Sequence, residues 1–397
     1  MPMTRKQRAQ DFDPLQPETF DSAHAEYAEL RARCPVAYSS AWDGFWSLLC
    51  YEDVKQAASD SKTFITSKQN VVPKVAFTGR RPPLHLDPPE HTPYRRALNP
   101  LLTEDRISLL EGATRKFARE LLNPMLERGS GDICADFSSY LPVQVFGEWM
   151  RMPRQKLKVL HDVGRAFNLA VQSGVADAMK ETSLELYELA RELVAERKLH
   201  PRDPATDPTS ALLAARNEGE PLPDDLIVGT VRQVLVVGII APTVMVGSIV
   251  VHLCRDPELQ QQLRSSPELI KAAVEEFLRL YTPYRGFART ATREIELHGR
   301  TIPAGEPIAL VYASANRDES VFPQGDQFRL HRENLGEHLA FGRGPHNCPG
   351  AALGRMELRV ALEELLAATS RFELDGEIVP TRFPEIGALS VPVRLWT

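Results

Sequence analysis

Hydrophobic and polar positions divide the chain into helical, alternating and aperiodic stretches. Residues 22–33 (SAHAEYAELRAR) carry a helical period behind Ser22, which stands where a cap belongs. Residues 36–50 (VAYSSAWDGFWSLLC) read as a hairpin turning at Asp43-Gly44, and YEDVKQAASD returns to helix. Residues 63–90 hold many prolines and glycines without a period, and a loop of that length is usually functional or mobile. From about residue 103 to 285 the pattern is helical, with breaks at 129–132, 152–155, 200–208 and 217–223. Asp224 and Asp225 follow Pro223 as a helix start, and the pattern continues to Arg255. Residues 288–312 alternate as short strands around His298-Gly299 and Pro303-Ala304-Gly305. A loop-rich tract runs to 347, a last helix covers 350–368, and a β-like tail ends at Val393. The fold class is mainly α with minor β, a helical body with a small sheet drawn from both ends of the chain. No repeat or linker divides it, so residues 1–397 read as one domain, with 1–15 as a mobile tail.

Residues 234–251 (VLVVGIIAPTVMVGSIVV) carry no charge and are long enough to span a membrane. Gly238, Pro242 and Gly247 interrupt the run, and both flanks continue the helical pattern. A helix apolar all round is buried, here as the core helix of a large domain with no membrane association.

Composition removes other classes. Hydrophobic residues at 43% argue against disorder, and a net charge of −6 without a basic block argues against a nucleic-acid partner. The five cysteines (Cys34, Cys50, Cys134, Cys254, Cys348) are odd in number and form no CxxC pair, which disfavours a disulfide framework and a structural zinc site. The N-terminal MPMTRKQRAQDFDP lacks an apolar secretory core, so a cytoplasmic location is expected.

One cysteine differs in its surroundings. In HLAFGRGPHNCPGAALGRMELRVALEELL (338–366), two glycines and two prolines deliver Cys348 to the start of a helix, where amide N–H groups and the helix dipole favour thiolate over thiol. Alone, it reads as an inert buried cysteine, a metal ligand or a nucleophile.

The spacing Phe341-x-x-Gly344-x-His346-x-Cys348-x-Gly350 resembles the haem-binding signature of the cytochrome P450 family. That resemblance implies the P450 fold and haem b, with Cys348 as the axial ligand to iron, Phe341 against the sulfur, and Gly342 and Gly344 letting backbone approach the porphyrin. Glu276 and Arg279 resemble the family's ExxR pair, which locks the cysteine loop; Arg329, in Phe328-Arg329, is the expected third member. The stretch Asp87-Pro88-Pro89-Glu90-His91-Thr92-Pro93-Tyr94-Arg95-Arg96 resembles the family's DPPEH segment. His91, Arg95, Arg289 and His346 match its propionate contacts.

The distal helix departs from the family. Gly238 is in register, but Ile240 stands where an acid is expected and Ala241 where an alcohol is expected. Thr243 lies two residues on, about 200° around the helix, and cannot replace Ala241. Pro242 has no N–H for the Gly238 carbonyl, so a kink is expected, with that carbonyl holding water over the haem. Protons then reach oxygen through ordered water instead of a side-chain pair.

The GIIAPT run, with PLQPETFDSAH near the start, is similar to a bacterial subgroup whose haem domain is fused to a phthalate-dioxygenase-type reductase carrying FMN and a [2Fe–2S] cluster. The expectation is a haem domain without its own reductase, served by such a module in cis or trans. By resemblance the substrate pocket takes Val72, Val75, Phe77, Phe167, Val237, Ala241, Phe287 and Leu389, which are apolar and suit small hydrophobic substrates. The function implied is insertion of one oxygen atom from O2, giving hydroxylation or O-/N-dealkylation with electrons from NAD(P)H. The alternatives are an H2O2-driven peroxygenase on the same haem and a non-catalytic haem sensor.

Overall fold

A computed structural model describes residues 8–74 and 77–397. Its axis is one long helix, Asp224–Arg255, which starts behind Pro223 and continues through Pro242. Among the described residues it alone is long and apolar enough to cross a membrane, yet 72% of its most apolar stretch is buried inside the protein. Its apolar circumference is covered on several sides, by Leu141–Trp149, by Ala176–Leu199 and by the helix that follows the cysteine loop, Ala351–Ala368. The approach of Leu141–Trp149 requires Gly238, since a Cβ there would lie 2.1 Å from the Phe146 ring. Burial of this helix supplies the largest apolar contribution to the core.

The expected hairpin forms, with Val36–Ser39 antiparallel to Phe45–Leu48 and a tight turn through Trp42 and Asp43 at positive φ. Phe45–Leu48 then pairs in parallel with Pro307–Leu310, and Ala288–Ala291 and Phe64–Ile65 complete a five-stranded sheet. Strands from the two ends of the chain thus share one sheet. The C-terminal tail runs past Val393, as Pro392–Trp396, between Arg371–Leu374 and Ser130–Asp132.

Three local expectations change. Ser22 is the first residue of helix Ser22–Arg33 and not its cap; its hydroxyl accepts the Thr19 amide at 2.8 Å. The helical stretch from 154 to 199 is two helices, Arg154–Ser173 and Ala176–Leu199, because Gly174 closes the first in the left-handed conformation (φ 70°). Of the segment assigned to a tail, residues 1–7 lie outside the described residues, and part of the rest is packed. Phe12 is buried edge-on to Phe45, and Asp11 pairs with Arg300 at 2.5 Å while accepting the Tyr38 amide at 2.7 Å.

Candidate active site

The cysteine loop is shaped by two left-handed glycines, Gly342 (φ 67°) and Gly344 (φ 72°). Space also demands the second, because a Cβ on Gly344 would stand 2.5 Å from the Ala58 carbonyl oxygen. The turn closes where the Cys348 amide donates to the Phe341 carbonyl at 2.7 Å. Phe341 is fixed in turn by Arg355, whose guanidinium lies 4.5 Å over its ring. Glu275 holds Arg355 at 2.6 and 3.0 Å and His338 at 3.0 Å. Burial pushes the Glu275 carboxyl up, but His338 and Arg355 outweigh it and bring it down to about 2. No motif pointed to this clamp.

Cys348 itself is only partly covered, in contrast to Cys134. Burial raises its thiol above the ordinary value, against the pull of the Gly350 amide, Arg95 and Arg355. Groups that favour thiolate are therefore present, but burial outweighs them. Burial also pushes the Cys50 and Cys254 thiols up, to about 11 and 12, as befits inert cysteines.

Glu276 and Arg279 form the expected pair at 2.7 and 2.8 Å, both fully buried. Arg279 also donates to the carbonyls of Asn316, Gly325 and Gln327, which belong to the tract before the cysteine loop. The third member is corrected. Arg332 brings its guanidinium to Glu276 at 3.1 Å, whereas Arg329 contributes only its backbone N–H, at 3.0 Å. One carboxylate thus ties a helix to a long irregular segment, which Asn316, Arg317 and Arg332 brace further through hydrogen bonds to Leu339, Leu280 and Pro323.

The four basic residues expected near one another do converge. His91 Nε2 lies 3.3 Å from the Pro345 carbonyl, and its ring centroid is 5.0 Å from that of His346. Arg95 donates to the Asn347 carbonyl and side chain at 2.7 and 2.8 Å. Arg289 is buried, donates to the Ala288 carbonyl at 3.0 Å, and has no ion-pair partner among the described residues. Burial, then Arg289 and His91, push the His346 imidazole down to about 3. Arg289 is thus a buried cation with no carboxylate paired to it among the described residues, and such a group calls for an anion. The propionates of haem would be such anions, and the Cys348 sulfur would supply its iron ligand; the residues present fit haem.

Opposite expectations meet on the long helix. Val237 is 43% exposed, and Gly238 and Ala241 are partly exposed, in the middle of a helix whose flanks are buried. Ile240 is buried. The Thr243 hydroxyl lies 2.8 Å from both the Ser138 and Ile239 carbonyls, so it is engaged on the far side, as its rotation requires.

The expected substrate residues do not share one cavity. Val72 is buried in the core behind the sheet, near Ala288 and Phe383, and is corrected to a packing residue. Val75 lies outside the described residues. Phe77, 71% exposed, lines a cavity of ≈ 190 Å³ together with Arg81 and His85. Leu389 lines a different one of ≈ 270 Å³, beside Ile240 and Thr243. Phe167 is buried beneath Arg232, and Phe287 packs on Tyr284 with centroids 4.4 Å apart. Arg285, whose destination the sequence left open, is buried against Glu18 and donates to the Glu385 carbonyl.

Comparison with known proteins agrees with this geometry. Residues 143–393, more than half of the chain, match the family model described as Cytochrome P450. The chain is 32% identical over 380 residues to the mycinamicin IV hydroxylase/epoxidase of Micromonospora griseorubida, covering 93% of this chain and 94% of the relative. It is 30% identical to the cyclomarin C epoxidase CymV of Salinispora arenicola, covering 94% and 95%. The ligand-free structure of cytochrome P450 TbtJ1 superposes with a TM-score of 0.84 at 32% identity, over 96% of this chain and all of that one. With matches spanning nearly its whole length, this chain belongs to the cytochrome P450 family of haem-dependent monooxygenases.

Proposed function

We propose that Cys348 is the axial iron ligand of a cytoplasmic monooxygenase that hydroxylates or dealkylates small hydrophobic molecules. Electrons come from NAD(P)H through a reductase, of which an FMN/[2Fe–2S] module in cis or trans is the kind the sequence resembles. The observation that carries this reading is the partly covered Cys348 on a loop that Glu275 braces through His338 and Arg355. Haem, when bound, supplies the oxygen-activating chemistry. The remaining work falls to the chain. His91, Arg95, Arg289 and His346 hold the propionates, and the Glu276–Arg279–Arg332 network keeps the cysteine loop in place. Val237 and Ala241 offer only apolar surface to the distal side, so no side chain there moves a proton. Pro242 leaves the Gly238 carbonyl without its helical N–H, making it an acceptor for an ordered water that serves as the proton carrier.

The reduced protein under CO tests this reading. A strongly red-shifted Soret band is expected, and Cys348→Ser should abolish the shift; an unshifted band in the parent protein overturns the assignment. One observation favours a second reading. With Ile240 and Ala241 in place of an acid and an alcohol, H2O2 can supply oxygen and protons together, and turnover with peroxide alone would identify a peroxygenase.

A further inference from the structure

The ≈ 270 Å³ cavity lies on the side of the long helix turned away from Ala241. Ile239 and Thr243 both line it, and each stands two residues from Ala241, about 200° around the helix. The helix itself therefore separates this cavity from the distal face. The other walls come from helix Arg154–Ser173, the irregular helical turn Ile133–Ser138 and strand Ala388–Ser390. Two exposed apolar side chains, Leu169 and Val379, mark its mouth.

Most of the wall is apolar, from Ile239, Ile240, Leu389 and Leu169. Its polar groups largely satisfy one another. Asp132 accepts the Cys134 and Ala135 amides at 2.8 and 2.9 Å and the Ser390 hydroxyl as well. The Thr243 hydroxyl is engaged by backbone carbonyls. His161 lies 3.0 Å from Asp162 Oδ1 and 3.3 Å from Ser139 Oγ, with its ring stacked on Tyr140 at 3.8 Å. Asn168 is the exception: its Oδ1 is buried and has no hydrogen-bond partner among the described residues. A buried acceptor left alone is costly, and a donor on a ligand removes that cost. Charge favours no ion here, since Asp132 is held by its own donors and Arg165 is exposed to water. A dry aliphatic cavity of about 150 Å³ takes benzene, so this one has room for two fused rings. An apolar cavity with one unsatisfied polar group orients a ligand through that group.

We propose that this cavity is a second ligand site, taking a small neutral aromatic of up to two fused rings that donates an N–H or O–H to Asn168. The site goes beyond the monooxygenase reading, because neither Cys348 nor the distal face takes part in it.

The test begins with haem-loaded protein saturated with clotrimazole, an azole that ligates the iron and fills the distal side. The red shift of the Soret band reports that step, so failure of the haem assignment appears before any second ligand is added. Indole and 1-methylindole are then titrated by calorimetry. One indole per chain should bind while the Soret band stays in its azole-bound position. The methylated ring has no N–H to donate and should bind about fivefold or more weakly, the worth of one hydrogen bond to a buried acceptor. Asn168→Leu keeps the bulk and removes the acceptor, and should bring the two ligands within about twofold of each other. Lack of indole uptake by the azole-loaded parent, or return of the Soret band as indole is added, overturns the proposal. Equal affinity for the two ligands in the parent does so too, as does an undiminished preference for indole in Asn168→Leu.

Discussion

Replacing Glu276 by Gln isolates the network that holds the cysteine loop. Glu276 faces two guanidiniums, Arg279 at 2.7 and 2.8 Å and Arg332 at 3.1 and 3.3 Å, and neither it nor Arg279 is exposed. An amide of the same shape keeps an acceptor but removes the charge, leaving two buried cations against each other. Breaking one partner of a buried pair costs about 3–5 kcal/mol. A chain of 397 residues has an unfolding entropy near its midpoint of about 0.8 kcal/mol/K, so the midpoint should fall by about 4–6 °C. The assay is thermal unfolding of the haem-loaded protein, read beside Soret absorbance per protein to report haem retained. Arg329→Ala is the control. Only its backbone bonds to Glu276, so it should shift stability by no more than about 0.5 kcal/mol. Equal effects of the two substitutions, or a Glu276→Gln midpoint within about 1 °C of the parent, would refute the assigned geometry.

Burial raises Glu385 from its ordinary 4.5 to about 7, with Gln172 donating to it at 2.9 Å. The folded chain then keeps a proton that the unfolded chain has released, so stability should fall as pH rises from about 4.5 to 7 and level off above. Glu385→Gln should flatten that slope and be the more stable form at alkaline pH; a parent protein whose melting does not vary across this window contradicts the sign. Gly344→Ala should cost about 1–2 kcal/mol from its backbone alone, and more from contact with Ala58, seen as a lower haem-to-protein ratio. Installing Asp at 240 and Thr at 241 should alter the fraction of NAD(P)H recovered as product only modestly; a gain of several orders of magnitude would end the ordered-water account.

Much of this protein was legible in one dimension. The uncharged run, its acidic start and Pro223 pointed to the long helix, because a mostly buried helix needs a long apolar run and a start its own sequence supplies. The hairpin at residues 36–48 followed from a turn dipeptide between alternating strands, and the cysteine loop from glycines and prolines whose constraints are local. Tertiary structure decided what depends on partners far apart in the chain. It selected Arg332 over Arg329, turned Val72 into core, and split Phe77 and Leu389 between separate cavities. The sign of the Cys348 shift was decided there too, since desolvation is a property of everything packed around a sulfur and not of its neighbours in sequence.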